Sequence, residues 1–389
     1  MRSSPTKRHP QDPVAVLGLP LNSLTVDETV DAIERLVLSG GTHQVSPVNL
    51  DVWLNSLSDP HLHRILAGCS LAVPDGMPLV WVSGLLGCPL AERITGVDLV
   101  PKLAELSARK GYRIFLLGGR PGVAERATAL LERSYPGVRI VGSCAPTEEK
   151  LNGIDQNEVI GRIRAVKPDI LLVAFGNPKQ EKWIWAHHKS LGVPVAMGIG
   201  GSLDILVGDM KRAPRWIQQC GLEWVMRLLQ EPVRLGPRYL RDFLGLARRL
   251  PLALLAAWIQ PPWLGHGKVT SVNTPKFLHV YLYGKLTAES AADLHEAASA
   301  AIASALPVVV HLQEVKHVTA AGLGILMSAR RQLLEAGLTL ELAGLKPGLR
   351  FLLYAWCVQP LFEEWRPAAR FAEHWTPAAT RKPASPCEE

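Results

Sequence analysis

The chain has 389 residues, 48% of them hydrophobic and 20% charged, with a formal net charge of +7. That apolar content excludes wholesale disorder, and the length suits two domains at about 100 to 200 residues each. Six cysteines (Cys69, Cys88, Cys144, Cys220, Cys357 and Cys387) form no C-x-x-C and have no histidine at zinc spacing, which argues for reduced thiols in a cytosolic protein.

Residues 1–12 read as a disordered tail. They carry Arg2, Lys7 and Arg8 but no apolar run of signal-peptide length, which argues against secretion. From Val14 the run VAVLGL predicts a strand, and Thr25 with Glu28 three residues on is a capping box opening a helix to about Ser39. A strand over Gln44–Val48 runs into Asn49 and a further helix. The apolar Leu71–Val73 ends at Pro74-Asp75-Gly76, so Asp75 stands where a strand gives way to a helix. After Arg93 to Asp98 (RITGVD) comes a helix to about Lys110. Strands are then expected over Arg113–Leu117, Val138–Val141, Ile170–Phe175 and Val193–Met197, with helical patterns between them. Strands alternating with helices predict an α/β domain, Rossmann-like, with a largely parallel sheet.

Three of these apolar runs break at glycine: FLLGGRPG, LLVAFGNPKQEKWIW and VAMGIGGS. In an open parallel sheet, ligands sit outside the carboxyl ends of the strands. Asn177, Lys179, Gln180 and Glu181 are therefore candidates to line a crevice, with Gly118, Gly119, Gly200 and Gly201 at the other two breaks. GGRPG lacks the G-x-G-x-x-G spacing, and no G-K-[ST] occurs, so neither the dinucleotide fingerprint nor the P-loop fits. There is also no D-x-D to hold a divalent ion on a diphosphate; helix N-termini and arginines can bind the same group without metal.

Between Lys211 and Arg249 nine Lys/Arg stand against three acids, Glu223, Glu231 and Asp242. Such a segment suits nucleic acid, an anionic bilayer or a diphosphate, and no zinc-finger or RNA-binding signature accompanies it, so nucleic acid is the weakest of the three. Trp216, Leu222, Trp224, Val225, Leu228 and Leu229 recur at helical spacing. The apolar run Leu252–Leu264 is too short to span a bilayer, which needs about 20 residues, and suits an interfacial position. A Gly/Pro-rich joint near Pro261–Gly267 precedes a second strand–helix alternation, expected to fold alone: strands over Leu278–Leu282, Val308–Leu312 and Leu338–Leu342, and helices from Thr287, Ala321 and Gly348.

Across Val14 to Arg241 the chain resembles the WecG/TagA/CpsF glycosyltransferase family. The resemblance rests on PDGMPLV at Pro74, ERITGVDLV at Glu92, FLLGG-x-PGVAE at Phe115, GNPKQEKW at Gly176, GIGGSLDILVGDMKRAP at Gly198 and GLEWVMRLLQEPVR at Gly221. It implies inverting transfer of a sugar, of N-acetylmannosamine type or another hexose or uronic acid, from a UDP-sugar to a polyprenyl-diphosphate-linked acceptor. It implies also that no metal or other cofactor is needed, and that the protein works peripherally on the inner face of the cell membrane in exopolysaccharide, capsule or cell-wall polymer synthesis. By the same resemblance Asp75 is the base that deprotonates the acceptor hydroxyl and Arg93 a second catalytic residue. Asn49 and Gln180 match sugar-nucleotide positions, and Arg227, Arg234 and Arg238 match a basic appendage that closes over the diphosphate. The Thr of the family's T-x-N motif is Pro47 here, with Ser46 beside it. That departure favours a competing reading, an impaired transferase domain that binds a sugar nucleotide and regulates.

The second domain, about Pro275 to Pro367, resembles a STAS domain, an interaction module, through YLYGKLTAESAADL and VVVHLQEVKHVTAAGLGILMSARRQLLEAG. Its D-S-x-G signature reads Thr319-Ala320-Ala321-Gly322, so the usual phosphate-accepting hydroxyl is missing, with Thr319 a weak substitute, and a constitutive module that docks a protein partner or senses a nucleotide is implied. The expected order is a tail over 1–12, the transferase-like domain with its basic helical appendage over 13–241, and an amphipathic membrane-surface segment and linker over 242–270. The smaller α/β STAS-like domain follows over 271–370, then a tail over 371–389.

Overall fold

The computed structural model describes residues 12–146, 156–260 and 267–362; the two expected tails and the heart of the expected joint lie largely or wholly outside them. Six parallel strands form the main sheet: β3 (His43–Val48), β4 (Leu71–Pro74), β5 (Arg113–Gly118), β6 (Arg139–Cys144), β7 (Ile170–Ala174) and β8 (Val195–Gly198), in the order β4-β3-β8-β7-β5-β6. The strands near its middle are buried on both faces, as parallel strands between helical layers are. Leucines and valines of helices Val26–Leu38, Gly96–Lys110 and Val123–Ser134 cover one face, and helices Gln156–Val166 and Lys179–Leu191 pack on the other. The capping box at Thr25 forms, with Thr25 accepting from the Glu28 amide and Glu28 accepting from the Thr25 amide.

The stretch VAVLGL makes two strands rather than one. β1 (Pro13–Val16) and β2 (Leu19–Asn22) pair antiparallel through a two-residue turn in which Leu17 and Gly18 both have positive φ, 47° and 89°. That is the twist a tight hairpin requires, and only Gly18 announces it in the sequence.

The second sheet runs β12-β11-β10-β9, from β9 (Lys268–Asn273), β10 (Leu278–Leu286), β11 (Val308–Val318) and β12 (Leu340–Ala343), with β9 the one antiparallel member. Between the domains lies one helix, Pro232–Trp258, which runs unbroken through residues 241 and 242. The sheet of the first domain keeps an apolar cluster on each face, but the second domain's core is not separate from the first domain. One continuous apolar cluster joins Val14, Leu21, Trp53 and Leu66 of the first to Ala253 and Ala256 of the long helix and to Leu282, Leu326 and Trp356 of the second. The hairpin is the keystone. The Trp53 indole donates to Leu17 O at 2.8 Å, a Cβ on Gly18 would lie 2.4 Å from Cys357 O, and a Cβ on Gly324 would lie 2.2 Å from Pro13 O. Trp356 Nε1 donates to Ala253 O at 3.0 Å. Gln260 Nε2 donates to Val318 O at 3.1 Å while its Oε1 accepts the Val318 amide at 2.7 Å.

Candidate active site

The loops after β3, β4, β7 and β8, with helices Glu223–Gln230 and Pro232–Trp258, line one open cavity of about 310 Å³. That is within the range of small-ligand clefts, and it lies at the carboxyl edge of the sheet, where open α/β folds bind ligands. Asn49, Asp75, Arg93, Asn177, Gln180, Gly200, Gly201, Arg227, Arg234 and Arg238 all line it. Gly118, Gly119 and Glu181 do not. A Cβ on Gly118 would stand 2.7 Å from the Phe175 ring and 2.8 Å from Ala174 O, so this glycine serves the close packing of β5 on the end of β7. Glu181 is 1% exposed behind Gln180.

Asp75 is placed by the two edge strands of the cavity. Its amide donates to Val48 O at 2.7 Å, and Ile94 N–H donates to Pro74 O at 2.7 Å, which brings Arg93 alongside the turn. Among the described residues the Asp75 carboxylate has no hydrogen-bond or ion-pair partner. Enclosure pushes its pKa up to about 6, against the opposing pull of Arg227 and Arg93 and with some help from Glu223 and Asp98. A carboxylate poised there is mostly ionised at neutral pH yet more basic than an ordinary one, as a general base should be.

The arginines, by contrast, are engaged. Arg93 Nη1 donates to Glu223 Oε2 at 2.6 Å and Arg227 Nη2 to Glu223 Oε1 at 3.2 Å. Arg234 pairs with Glu231. Arg238 Nη2 and Arg241 both reach Asp51, the former at 3.0 Å, and Arg241 also reaches Asp242 at 3.1 Å. Asp51 further accepts from Asn177 Nδ2 at 2.7 Å, tying the loop after β7 to the long helix. Burial and the neighbouring Asp51 hold the Asp242 carboxyl above its usual range.

Gln180 organises the floor rather than offering a free amide. Its Oε1 accepts the Gly200 amide at 3.0 Å and its Nε2 donates to Glu181 Oε1 at 2.8 Å. It fits only because position 198 is glycine, where a Cβ would lie 2.6 Å from Gln180 Nε2. Burial raises the Glu181 carboxyl to about 7. Asn49 lines the cavity and caps helix Leu50–Ser58, accepting from the Val52 amide. Pro47 is tolerated in an interior strand because the pairing of β3 with β8 ends at Val45, before the missing N–H would matter. Sequence reasoning passed over Glu223, Asp51 and Asp242, the counter-ions of the arginines. Two of them were visible as acids inside the most basic stretch of the chain.

The fold and cavity define a doubly wound α/β protein with an arginine-lined crevice at the carboxyl edge of its sheet. Residues 14–260 match the model of the glycosyl transferase WecG/TagA/CpsF family, and the chain belongs to that family. Residues 271–355 match the Mlab, STAS domain model. Among curated relatives, an N-acetylglucosaminyldiphosphoundecaprenol N-acetyl-beta-D-mannosaminyltransferase of Bacillus spizizenii is 34% identical over 48% of this chain and 70% of its own length. A protein of the same name from Staphylococcus aureus strain MW2 is 29% identical over 57% of this chain and 87% of its own. A solved structure of the anti-sigma factor antagonist SpoIIAA, unphosphorylated, aligns with 23% of this chain and 82% of its own at 16% identity and a TM-score of 0.20.

Proposed function

We infer that this glycosyltransferase moves a sugar from a UDP-sugar, of N-acetylmannosamine type or a related hexose or uronic acid, to a polyprenyl-diphosphate-linked acceptor, with inversion. The relatives' names support the lipid-linked acceptor and the mannosaminyl donor. The observation that carries the reading is Asp75, an uncommitted carboxylate held near pKa 6 in the same cavity as Arg93 and Arg227. In the proposed step Asp75 accepts the proton of the acceptor hydroxyl, whose oxygen attacks the anomeric carbon as the bond to the UDP oxygen breaks. The leaving diphosphate takes its negative charge into the reach of the arginines, which in this reading take the part a metal ion would otherwise play. One preorganised donor of that kind is worth about 10² to 10³ in rate.

The membrane face of the reading rests on exposed apolar side chains among the basic ones. Trp216, Leu222, Leu229, Val233, Leu240 and Leu244 are exposed, as are Trp81 and Leu85 of helix Met77–Leu85, and the Trp81 ring lies 3.0 Å from the Cβ position of Gly221. Among the described residues no helix is long and apolar enough to cross a membrane. A peripheral position on the inner face of the membrane would put this rim against the bilayer and the cavity mouth near the acceptor's diphosphate. Of the apolar run from Leu252, Ala253 and Ala256 face the second domain, so less of it is free for lipid than its composition suggests.

UDP release, measured with a panel of UDP-sugars and a polyprenyl-diphosphate-linked N-acetylglucosamine acceptor, tests the reading. Release that depends on both substrates is expected. Pro47 in the cavity wall favours the competing regulator, and tight UDP-sugar binding without any acceptor-dependent release would support that alternative.

A further inference from the structure

We propose that Glu223 is a positioning residue for this transfer, its carboxylate holding the Arg93 and Arg227 guanidinium groups together across the cavity from Asp75. The inference rests on the transferase reading above and adds to it a residue whose charge sets how the site divides positive potential between leaving group and base.

The geometry is specific. Glu223 is the first residue of helix Glu223–Gln230 and is 4% exposed, yet it lines the cavity. Each carboxylate oxygen takes one cation: Oε2 accepts from Arg93, which comes from the loop between helices Met77–Leu85 and Gly96–Lys110, and Oε1 from Arg227, one helical turn on. A buried carboxylate is costly unless paired, and two guanidinium groups meet that need. Burial raises its pKa, but Arg227 and Arg93 outweigh burial and leave it below the ordinary range, so Glu223 is ionised at every working pH. Two arginines and one carboxylate leave one net positive charge in front of Asp75 instead of two. The other charged groups that face Asp75 are Asp98, from helix Gly96–Lys110, which is itself paired with Arg212. Arg234, Arg238, Tyr239 and Asp242 line the same cavity from the long helix, and Asp51 from helix Leu50–Ser58; Asp51 and Asp242 are paired with Arg238 and Arg241 in both the wild type and the Glu223 variants, so a shift between those proteins reports on Glu223.

Were Glu223 only a tether between a loop and a helix, its charge would not matter to Asp75. If it balances the arginines, removing the charge while keeping the shape must make Asp75 more acidic, because two uncompensated cations stabilise its ionised form. Glu223→Gln is therefore expected to move the acid limb of the kcat/KM profile to lower pH, by about half a unit or more for one charge felt across a partly solvated cavity. It should lower kcat about tenfold, since the arginine pair loses its fixed spacing. KM for the donor should change less than threefold. Glu223→Asp keeps the charge and shortens the reach, so its acid limb should stay at the wild-type position while kcat falls at least fivefold.

An unmoved acid limb in Glu223→Gln overturns the proposal. Should that variant lose its cooperative melt, Glu223→Asp decides alone, and kcat within twofold of wild type overturns the proposal. A further readout needs no turnover. UDP affinity should weaken as pH rises through the Asp75 titration, since a second anion then faces the diphosphate, and in Glu223→Gln this step should fall at lower pH. A wild-type protein that binds UDP with this pH step but transfers no sugar refutes the transferase reading and leaves the Glu223 comparison decidable; a step at the same pH in both proteins refutes Glu223.

Discussion

The two ends of helix Pro232–Trp258 are held in opposite ways. At its start Arg238, Arg241 and Asp242 form a charged lattice with Asp51 beside the cavity, and at its finish Ala253 and Ala256 disappear into an apolar core closed by Trp356. Contacts of the first kind can be re-formed around an anionic ligand, and they weaken with salt and shift with pH. Contacts of the second kind do neither. The helix thus has one end that can respond to a diphosphate and one that cannot, and the unresponsive end is supplied by the second domain.

The largest effect should come from the responsive end. Asp75→Asn is expected to lower turnover about 10² to 10⁴-fold, the usual worth of a general base, with UDP-sugar binding kept and somewhat tightened at neutral pH, because the neutral side chain removes an anion that faces the diphosphate. In the wild type, Asp75 with a pKa near 6 must be ionised to act, so kcat/KM should fall as pH drops below that value and level off above it. An Asn variant keeping a third of wild-type turnover would end the base assignment.

At the other end, Trp356→Ala should cost about 3 to 5 kcal/mol, the range for removing a buried aromatic, with loss of the indole bond to Ala253 O included. The measurement is denaturant unfolding of the full chain. Because hairpin, helix and second sheet share one cluster, a single transition that moves as a whole is expected, and removing everything past Gln260 should leave an aggregating remnant. Two separate transitions, only the second moved by the substitution, would restore the independently folding domain that the Gly/Pro-rich joint suggests.

Much of the cavity was legible because a doubly buried parallel sheet writes its strand ends plainly: apolar runs stop at Pro74-Asp75, Gly176-Asn177 and Gly198-Ile199-Gly200. Glycine alone was a poorer guide, since Gly118 ends a strand as visibly as Gly198 does but lies outside the cavity. What could not be read was pairing. Arg93 finds Glu223 130 positions away and Arg241 finds Asp51 190 positions away, and a count of charges along the chain treats such acids only as dilution. The shared core was hidden for the same reason, because the hairpin that joins the domains stands at one end of the sequence and its partner Cys357 near the other.

A smaller effect should separate the two ends by salt. The exposed rim carries Arg234, Arg241 and Arg248 beside Leu240 and Leu244, and each cation near an anionic bilayer is worth about 1 kcal/mol at low ionic strength. Flotation with anionic liposomes should weaken markedly at 1 M salt, where the Debye length is about 3 Å, while thermal unfolding of the Trp356 seam stays put. Equal flotation at low and high salt would mean that Trp216, Leu229 and Val233 insert and that charge is secondary.

The smallest effect concerns Thr319, the one hydroxyl left in a signature motif whose usual acceptor is Ala320. Its Oγ1 accepts the Gly322 amide at 3.1 Å and donates to Leu286 O at 3.2 Å, so it caps helix Ala320–Glu335, and Ala320 beside it is 1% exposed. A hydroxyl used in this way is a structural cap before it is a phosphate acceptor. Thr319→Ala should cost about 1 kcal/mol, a shift of about 2 °C in Tm, with turnover unchanged because neither residue lines the cavity. Gln260 grips the adjacent Val318 through both its amide and its carbonyl, so cap and grip hold the same strand end from two sides. Residues that share a backbone segment couple, and the double variant Thr319→Ala/Gln260→Ala should therefore depart from the sum of the single losses by at least about 0.5 kcal/mol. Strict additivity would separate the cap from the seam, and a Thr319→Ala protein with normal Tm but altered turnover would make this helix start a signalling position after all.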